Sequence, residues 1–138
     1  MIRIEESPTN AMIDDALKTY PDECCGFMLG IQNQNESTVT EIRVINNSKQ
    51  GDRRRRFEIS PLDYMYAERY ADENNLALLG VYHSHPDHPS RPSETDRLAA
   101  QPNFSYLIIS IIDGKFNTQQ SWRLNDEHQF EEETIITN

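Results

Sequence analysis

The sequence predicts a single α/β domain in which helices flank a mixed β-sheet. The chain has 138 residues, which is enough for one hydrophobic core and short for two ordinary domains. Two nearly continuous apolar runs, residues 76–82 and 106–112, are typical of strands that are buried on both faces. Amphipathic helical patterns alternate with the strand patterns, and this alternation favours helices packed on a sheet.

The N-terminal residues predict a strand followed by a helix. Residues 1–4 form the strand, and Ser7 and Pro8 are typical of a helix N-cap followed by proline at the first helical position. We expect the helix to continue to about Thr19 and to end before Pro21. Four of its side chains would face the core: Ala11, Met12, Ala16 and Leu17.

Two further strands are predicted over residues 25–31 and 38–45. The first run is almost wholly apolar, which indicates burial on both faces, whereas the second alternates and should pair with the first. A polar loop over 46–52 leads to a short strand over 57–59.

A second helix should begin at Ser60 and Pro61, which repeat the pattern of a cap followed by proline. It would continue to about Asn74. Its larger side chains recur at helical spacing, which predicts an amphipathic helix: Leu62, Met65, Tyr66, Arg69 and Tyr70. Three tyrosines are interpreted as core and rim of this helix, in preference to a base-stacking platform: Tyr64, Tyr66 and Tyr70.

The C-terminal third predicts a hairpin and an edge strand. Residues 106–112 form a central strand, Asp113 and Gly114 form a hairpin turn, and residues 116–124 form the partner strand. A last strand over 134–137 would close one edge of the sheet.

Composition and charge disfavour several classes of function. The formal net charge is −10, whereas nucleic acid is bound mainly through Lys and Arg. No apolar run approaches the ~20 residues of a membrane-spanning helix, and the first residues lack a signal-peptide pattern, so we expect a cytoplasmic protein. Cys24 and Cys25 give no disulfide framework. At least one should pack in the core, and no local group would activate a thiol nucleophile.

Two histidines and an aspartate carry the pattern of a metal site. His83 and His85 end an apolar strand, and residues i and i+2 of a strand project to the same face. Pro86 then stops the strand, and Ser93 begins a helix that places Asp96 in its first turn. Three nitrogen and oxygen ligands with an open fourth position are typical of catalytic zinc.

Some of these residues also have a purely structural interpretation. Taken alone, Ser93 and Asp96 would be an N-cap and its reciprocal partner, although a cap and a metal site can coexist. Glu23 beside Asp22 would by itself be a solvated acidic pair near a helix end. His88, in the loop after the histidine strand, is either solvated or in contact with substrate.

Three separated elements agree with one known family. His83-Ser84-His85-Pro86 joined to Ser93-x-x-Asp96, together with the strand start Glu23-Cys24-Cys25-Gly26, resembles the JAMM metallopeptidases, the catalytically competent members of the MPN family. The order of the elements, their separation and the total length agree over roughly residues 1–137.

The resemblance implies one MPN domain of the cytidine-deaminase-like fold over residues 1–138, with one Zn²⁺ per chain. His83, His85 and Asp96 would hold the ion and leave a water whose pKa the metal lowers toward ~7. Glu23 would be the general base, and Ser93 would donate a hydrogen bond to the developing oxyanion.

The implied activity is that of the compact prokaryotic members. These hydrolyse the peptide or isopeptide bond after the C-terminal Gly-Gly of a ubiquitin-like or sulfur-carrier protein, releasing cysteine or another adduct. The alternatives are a non-catalytic MPN scaffold, which the intact ligand set disfavours, and a DNA-repair-associated JAMM-like protein, which the acidic charge disfavours. A homodimer through a sheet edge is compatible with the sequence.

A dense basic cluster stands out in the acidic chain, and it consists of Arg53, Arg54, Arg55 and Arg56. Its structural interpretation is a solvated charged loop. Its functional interpretation is contact with an acidic patch or with the tail of a carrier protein, because such contacts tune association rate and specificity.

Overall fold

The structure is a computed structural model that describes residues 1–137. Eleven elements follow one another along the described part of the chain. They are β1 (Ile2–Ile4), α1 (Glu6–Thr19), β2 (Cys25–Gln32), β3 (Ser37–Ile45), α2 (Pro61–Glu73), β4 (Ala77–Pro86), α3 (Glu94–Ala99), β5 (Ser105–Ile112), β6 (Lys115–Leu124), β7 (Phe130–Glu133) and β8 (Ile135–Thr137).

All eight strands form one mixed sheet in the order β7-β6-β5-β4-β2-β3-β1-β8. The pairs β4 and β5, β1 and β3, and β1 and β8 are parallel, and the other neighbours are antiparallel. The predicted mixed sheet flanked by helices is therefore confirmed. The predicted pairing of residues 25–31 with 38–45 and the strand at one edge near 134–137 are confirmed as well.

The core lies on both faces of the sheet, and one long helix covers each face. On one face, Met12 and Ala16 of α1 pack with side chains such as Leu107 and Ile109. On the other face, Ala67 and Ala71 of α2 join a second apolar cluster. The central strands β2, β4 and β5 contribute to both clusters, which explains their nearly continuous apolar sequences.

The start of α1 differs from the prediction. The helix begins at Glu6, with Glu5 as a cap residue that makes no side-chain hydrogen bond, so Ser7 is not the N-cap. Pro8 lies within the first turn and is buried, and its missing N–H is tolerated there because that N–H would have no helical partner.

The buried face of α1 was predicted only in part. Met12 and Ala16 are buried as expected, but Ala11 and Leu17 are exposed, with 38% of Leu17 accessible. The buried residues Pro8, Met12 and Ala16 follow a strict spacing of four, which forms a stripe narrower than the predicted one.

The helix α2 begins as predicted but turns a different face inward. The Ser60 hydroxyl accepts a hydrogen bond from the Asp63 N–H at 3.2 Å, and Pro61 is the first helical residue. The buried residues are Ala67 and Ala71, which let the helix approach the sheet closely. Tyr64 and Tyr70 pack at its margin, whereas three predicted inward residues are exposed: Leu62, Met65 and Tyr66.

Two short segments also differ from the prediction. Residues 57–59 are not a strand, although Phe57 and Ile59 still pack against the core. The strand β7 pairs with β6 although its sequence is rich in glutamate, and it was not predicted. The turn at Asp113 and Gly114 is confirmed, and both residues have positive φ, of 51° and 77°.

The three helices described within residues 1–137 all lack the length and hydrophobicity of a membrane-crossing segment.

Candidate metal centre

The antiparallel register of β2 and β4 brings Glu23 to the two histidines. Cys25 pairs with His83, so the chain positions that precede β2 run alongside the end of β4. The Ser84 hydroxyl accepts a hydrogen bond from the Cys24 N–H at 2.8 Å, and the Ser84 N–H donates to the Cys24 carbonyl at 3.2 Å. These two bonds tie Glu23 to the segment that carries His83 and His85.

Three donor atoms converge at spacings that suit a tetrahedral ion. The Nε2 atoms of His83 and His85 are 3.2 Å apart, and Asp96 Oδ2 lies 3.4 Å from the first and 3.2 Å from the second. Zinc bonds of ~2.0–2.1 Å in a tetrahedron require donors ~3.3 Å apart. The residues present therefore fit a zinc ion.

Glu23 lies next to these three donor atoms, but at longer distances than they have from one another. Donor atoms of Glu23, His83 and His85 all fall within 4.8 Å of one another. The Asp96 oxygen matches the tetrahedral spacing to both histidines, so its geometry is that of a third ligand.

The ring of His85 is oriented for ligation. Its Nδ1 atom lies 2.9 Å from the Pro89 carbonyl oxygen, and a carbonyl can only accept, so Nδ1 carries the proton. The lone pair on Nε2 then faces the donor set, which is the usual arrangement of a metal-binding histidine.

Packing orients the ring of His83. The side chain is 1% exposed and stacks on Phe57 with ring centroids 4.4 Å apart. Its Nδ1 atom has no hydrogen-bond partner among the residues that the structure describes. Burial lowers the pKa of His83, so the ring is neutral near pH 7, and neutral imidazole is the form that binds metal.

Asp96 has both the capping role and the geometry of a ligand. The Ser93 hydroxyl accepts from the Asp96 N–H at 3.0 Å, and the Ser93 N–H donates to Asp96 Oδ2 at 2.9 Å, which completes a capping box at the start of α3. Burial alone would raise the pKa of Asp96, but its interactions with the two neighbouring imidazoles and the hydrogen bond from the Ser93 N–H hold that pKa well below its ordinary value.

Glu23 is a buried carboxyl group with a raised proton affinity. It is 4% exposed, its N–H donates to the Arg53 carbonyl at 2.7 Å, and its carbonyl accepts from the Asn47 side chain at 3.1 Å. Burial raises the pKa of Glu23 to about 9 in the metal-free protein, and the negative charge of Asp96 adds to this while Arg56 opposes it. Groups perturbed in this way are suited to proton transfer.

Both cysteines lie in the core, as the sequence predicts for at least one. Burial raises the pKa of the Cys24 thiol and raises that of Cys25 to about 12. Neither residue is a thiolate near neutral pH, which disfavours a thiol nucleophile.

A cleft of about 560 Å³ opens beside the donor set. The lining includes five of the predicted residues besides His85: Glu23, Arg55, Arg56, His88 and Ser93. Arg53 and Arg54 lie outside the lining, so only half of the predicted arginine cluster reaches it.

Ser93 also lines this cleft. Its oxygen accepts from Asp96, which leaves the hydroxyl proton free to be donated into the cleft.

Two residues of the site were missed from the sequence. Arg91 lines the cleft, and the only sequence signal was its place in the loop between His85 and Ser93. Ser84 lies between the two histidines, and its role in tying β4 to Cys24 depends on a strand register that the sequence does not state.

Curated relatives with known activities match most of the chain. A desampylase of Pyrococcus furiosus is 27% identical over 114 residues, which cover 83% of this chain and 75% of the relative. A CysO-cysteine peptidase of Mycobacterium tuberculosis is 30% identical over 118 residues, which cover 85% and 78%.

Solved structures match the whole chain. A solution structure from Desulfitobacterium hafniense has a TM-score of 0.87 and 31% identity, covering 100% of this chain and 93% of the other. A JAB1/MPN domain protein of Archaeoglobus fulgidus has a TM-score of 0.61 and 16% identity, covering 100% and 97%. A structure described as JAMM, a metalloprotease-like zinc site in the proteasome and signalosome, has a TM-score of 0.60 and 15% identity, covering 100% and 98%. The last two show the fold alone.

The family model of prokaryotic homologues of the JAB domain matches residues 5–125. With the family model, the relatives and the fold in agreement, the chain belongs to the compact prokaryotic branch of the JAMM/MPN family.

Proposed function

We propose that this protein is a zinc-dependent peptidase that hydrolyses the amide bond after the C-terminal Gly-Gly of a ubiquitin-like or sulfur-carrier protein. One observation carries the proposal: the donor atoms of His83, His85 and Asp96 lie 3.2 to 3.4 Å apart, beside a buried Glu23 that opens onto a cleft. The relatives named desampylase and CysO-cysteine peptidase support this class of substrate.

The three ligands would hold one ion per chain, and the spacing of 3.2 to 3.4 Å between their donor atoms supports zinc. When bound, zinc supplies a Lewis acid that polarises the scissile carbonyl and lowers the pKa of a neighbouring water. Burial keeps His83 in the neutral form that binds metal, and Asp96 is held as a carboxylate.

Glu23 is proposed as the general base and then the general acid. Its carboxylate takes one proton from the attacking water while the oxygen of that water bonds to the carbonyl carbon. The same proton then passes to the amine nitrogen as the carbon–nitrogen bond breaks, so the charges balance over the cycle. Burial favours this shuttle because it raises the proton affinity of the carboxylate.

Ser93 is proposed to stabilise the oxyanion. Its backbone position is fixed by the capping box, and its hydroxyl proton is free to be donated into the cleft. A donor that is already oriented stabilises the developing negative charge without reorganisation during the reaction.

The test combines metal analysis with cleavage of a carrier adduct. We expect about one zinc per chain and hydrolysis after Gly-Gly that a chelator abolishes. Glu23→Gln should retain zinc and lose ~10²- to 10⁴-fold in kcat, whereas the matched control Glu68→Gln, exposed on α2, should behave as wild type. Undiminished activity in Glu23→Gln, or a zinc-loaded protein that cleaves no Gly-Gly adduct, would contradict the proposal.

A further inference from the structure

We propose that the cleft binds a free carboxylate on the leaving group, with Arg91 as the principal contact. The natural leaving amine would then be an α-amino acid and not the side chain of a lysine. This inference rests on the proposed function and specifies its substrate class.

The cleft is strongly basic although the chain is acidic. The protein has a formal net charge of −10, yet three arginines line the cleft: Arg55, Arg56 and Arg91. Glu23 is the one acidic residue among the described residues of the lining, so arginine side chains outnumber acidic ones there. The local charge therefore favours an anionic ligand.

The guanidinium groups in the cleft are poorly neutralised by the protein itself. Within residues 1–137, Arg91 makes no hydrogen bond and no ion pair. Arg56 donates to the Arg55 carbonyl at 2.8 Å and makes no ion pair within 4 Å in the same range, although its charge acts on Glu23. Arg55 lies 3.8 Å from Asp52, but both side chains are exposed, so this pair contributes little.

The chemistry of the substrate places one anionic group close to the scissile bond. The C-terminal carboxylate of the carrier is consumed in the amide, and its Gly-Gly tail has no charged side chain. An amino acid released from that amide keeps a carboxylate on the carbon next to the scissile nitrogen. A lysine side chain has only methylene groups there.

The position of Arg91 suits this carboxylate. Arg91 lies two residues before Ser93 and lines the same cleft as Glu23, the proposed proton donor to the leaving nitrogen. Guanidinium groups bind carboxylates through two parallel hydrogen bonds, which makes arginine more selective for this group than a point charge. Arg55 lies in the same lining and adds further positive charge.

A second cavity adjoins the cleft, and its lining balances Lys49 and Arg56 with Glu58 and Asp96. It has a volume of about 300 Å³, shares Arg56 with the cleft and has Asp96 in its wall. Phe57, Ile59 and Tyr64 also line it, so its wall has a larger share of aromatic and aliphatic side chains. The basic cleft is therefore the better match for a carboxylate.

The test compares substrates that differ only in this charge. One carrier peptide ends in Gly-Gly-alanine with a free carboxylate, and the other ends in Gly-Gly-alaninamide. We expect zinc-loaded wild type to prefer the carboxylate by about 10- to 100-fold in kcat/KM. Arg91→Gln should remove that preference mainly by slowing the carboxylate substrate, while the control Arg69→Gln, exposed on α2 outside the cleft, should keep it.

Binding gives a second measurement that does not depend on turnover. In a Glu23→Gln background, the carboxylate peptide should bind more tightly than the amide by calorimetry, and adding Arg91→Gln should remove the difference. Equal kcat/KM and equal Kd for the two peptides in the presence of Arg91 would overturn the inference but leave the proposed peptidase intact. Failure to hydrolyse either peptide would overturn the proposed function and this inference with it.

Discussion

Replacing Glu23 by glutamine should stabilise the metal-free protein, and the gain should grow with pH. Burial raises the pKa of Glu23 from its ordinary value of 4.5 to about 9. Because the folded value is the higher one, the contribution of Glu23 to stability is fully present below pH 4.5 and is lost as the pH rises toward 9. Glutamine has nearly the same shape but cannot ionise, so the variant escapes this loss.

The magnitude follows from the size of the shift. Each pKa unit corresponds to ~1.4 kcal/mol, and the interval from 4.5 to pH 7 gives about 3 kcal/mol if the whole shift acts on folding. Glu23 lines an open cleft, so water relieves part of the burial. We therefore expect Glu23→Gln to raise the free energy of unfolding by about 1–2 kcal/mol at pH 7 and by almost nothing at pH 5.

The difference in the free energy of unfolding between Glu23→Gln and wild type can be measured by urea unfolding. The measurement is made with a chelator present, at several pH values from 5 to 8. Glu68→Gln serves as the control because Glu68 is exposed. A constant difference between Glu23→Gln and wild type across that range would refute the reasoning, since it would mean that Glu23 is already ionised in the folded protein at neutral pH.

Three other changes test the construction of the site. Ser84→Ala leaves the buried Cys24 N–H without its acceptor, so it should lower the free energy of unfolding by ~1–3 kcal/mol and lower kcat with KM unchanged. Ser84→Thr keeps a hydroxyl and should retain both the stability and the kcat of wild type. An unaltered kcat in the alanine variant would exclude a positioning role for Ser84. Gly80→Ala would place a Cβ atom 1.9 Å from the Ser105 carbonyl oxygen and should destabilise the protein by at least ~2 kcal/mol in urea unfolding; a variant as stable as wild type would contradict this close approach. Zinc added to the metal-free protein should raise the midpoint of thermal unfolding, because zinc binds the folded state. In His83→Asn, a midpoint that zinc does not change would confirm His83 as a ligand. A rise as large as that of wild type would exclude it.

The parts of the fold that could be predicted are those that local sequence determines. The central strands have continuous apolar runs, and the spacing of His83 and His85 fixes their common face in any strand. The capping box of Ser93 and Asp96 is a four-residue pattern, so it too is local. Glu23 is different, because its approach to the histidines depends on the pairing of β2 with β4, and only the family resemblance indicated it.

The predicted buried faces of the helices were wrong where close packing, and not side-chain hydrophobicity, determines which residues face the sheet. In α2 the sequence favours a face that contains Leu62 and Met65, but the structure buries Ala67 and Ala71 because small side chains let the helix approach the sheet. In α1 the buried stripe consists of Pro8, Met12 and Ala16, and Leu17 lies outside it. Arg91 could not be identified from the sequence, since a single arginine in a loop has no periodicity and its significance depends on the cleft around it.

The protonation states of the metal-free site explain why a cation and a base belong together here. Asp96 is held as a carboxylate against burial, and its charge is one reason that the pKa of Glu23 rises to about 9. A divalent cation at the three donors would outweigh the charge of Asp96 and lower the pKa of Glu23 toward neutrality. The carboxylate form that a general base requires would therefore be favoured when the ion is bound.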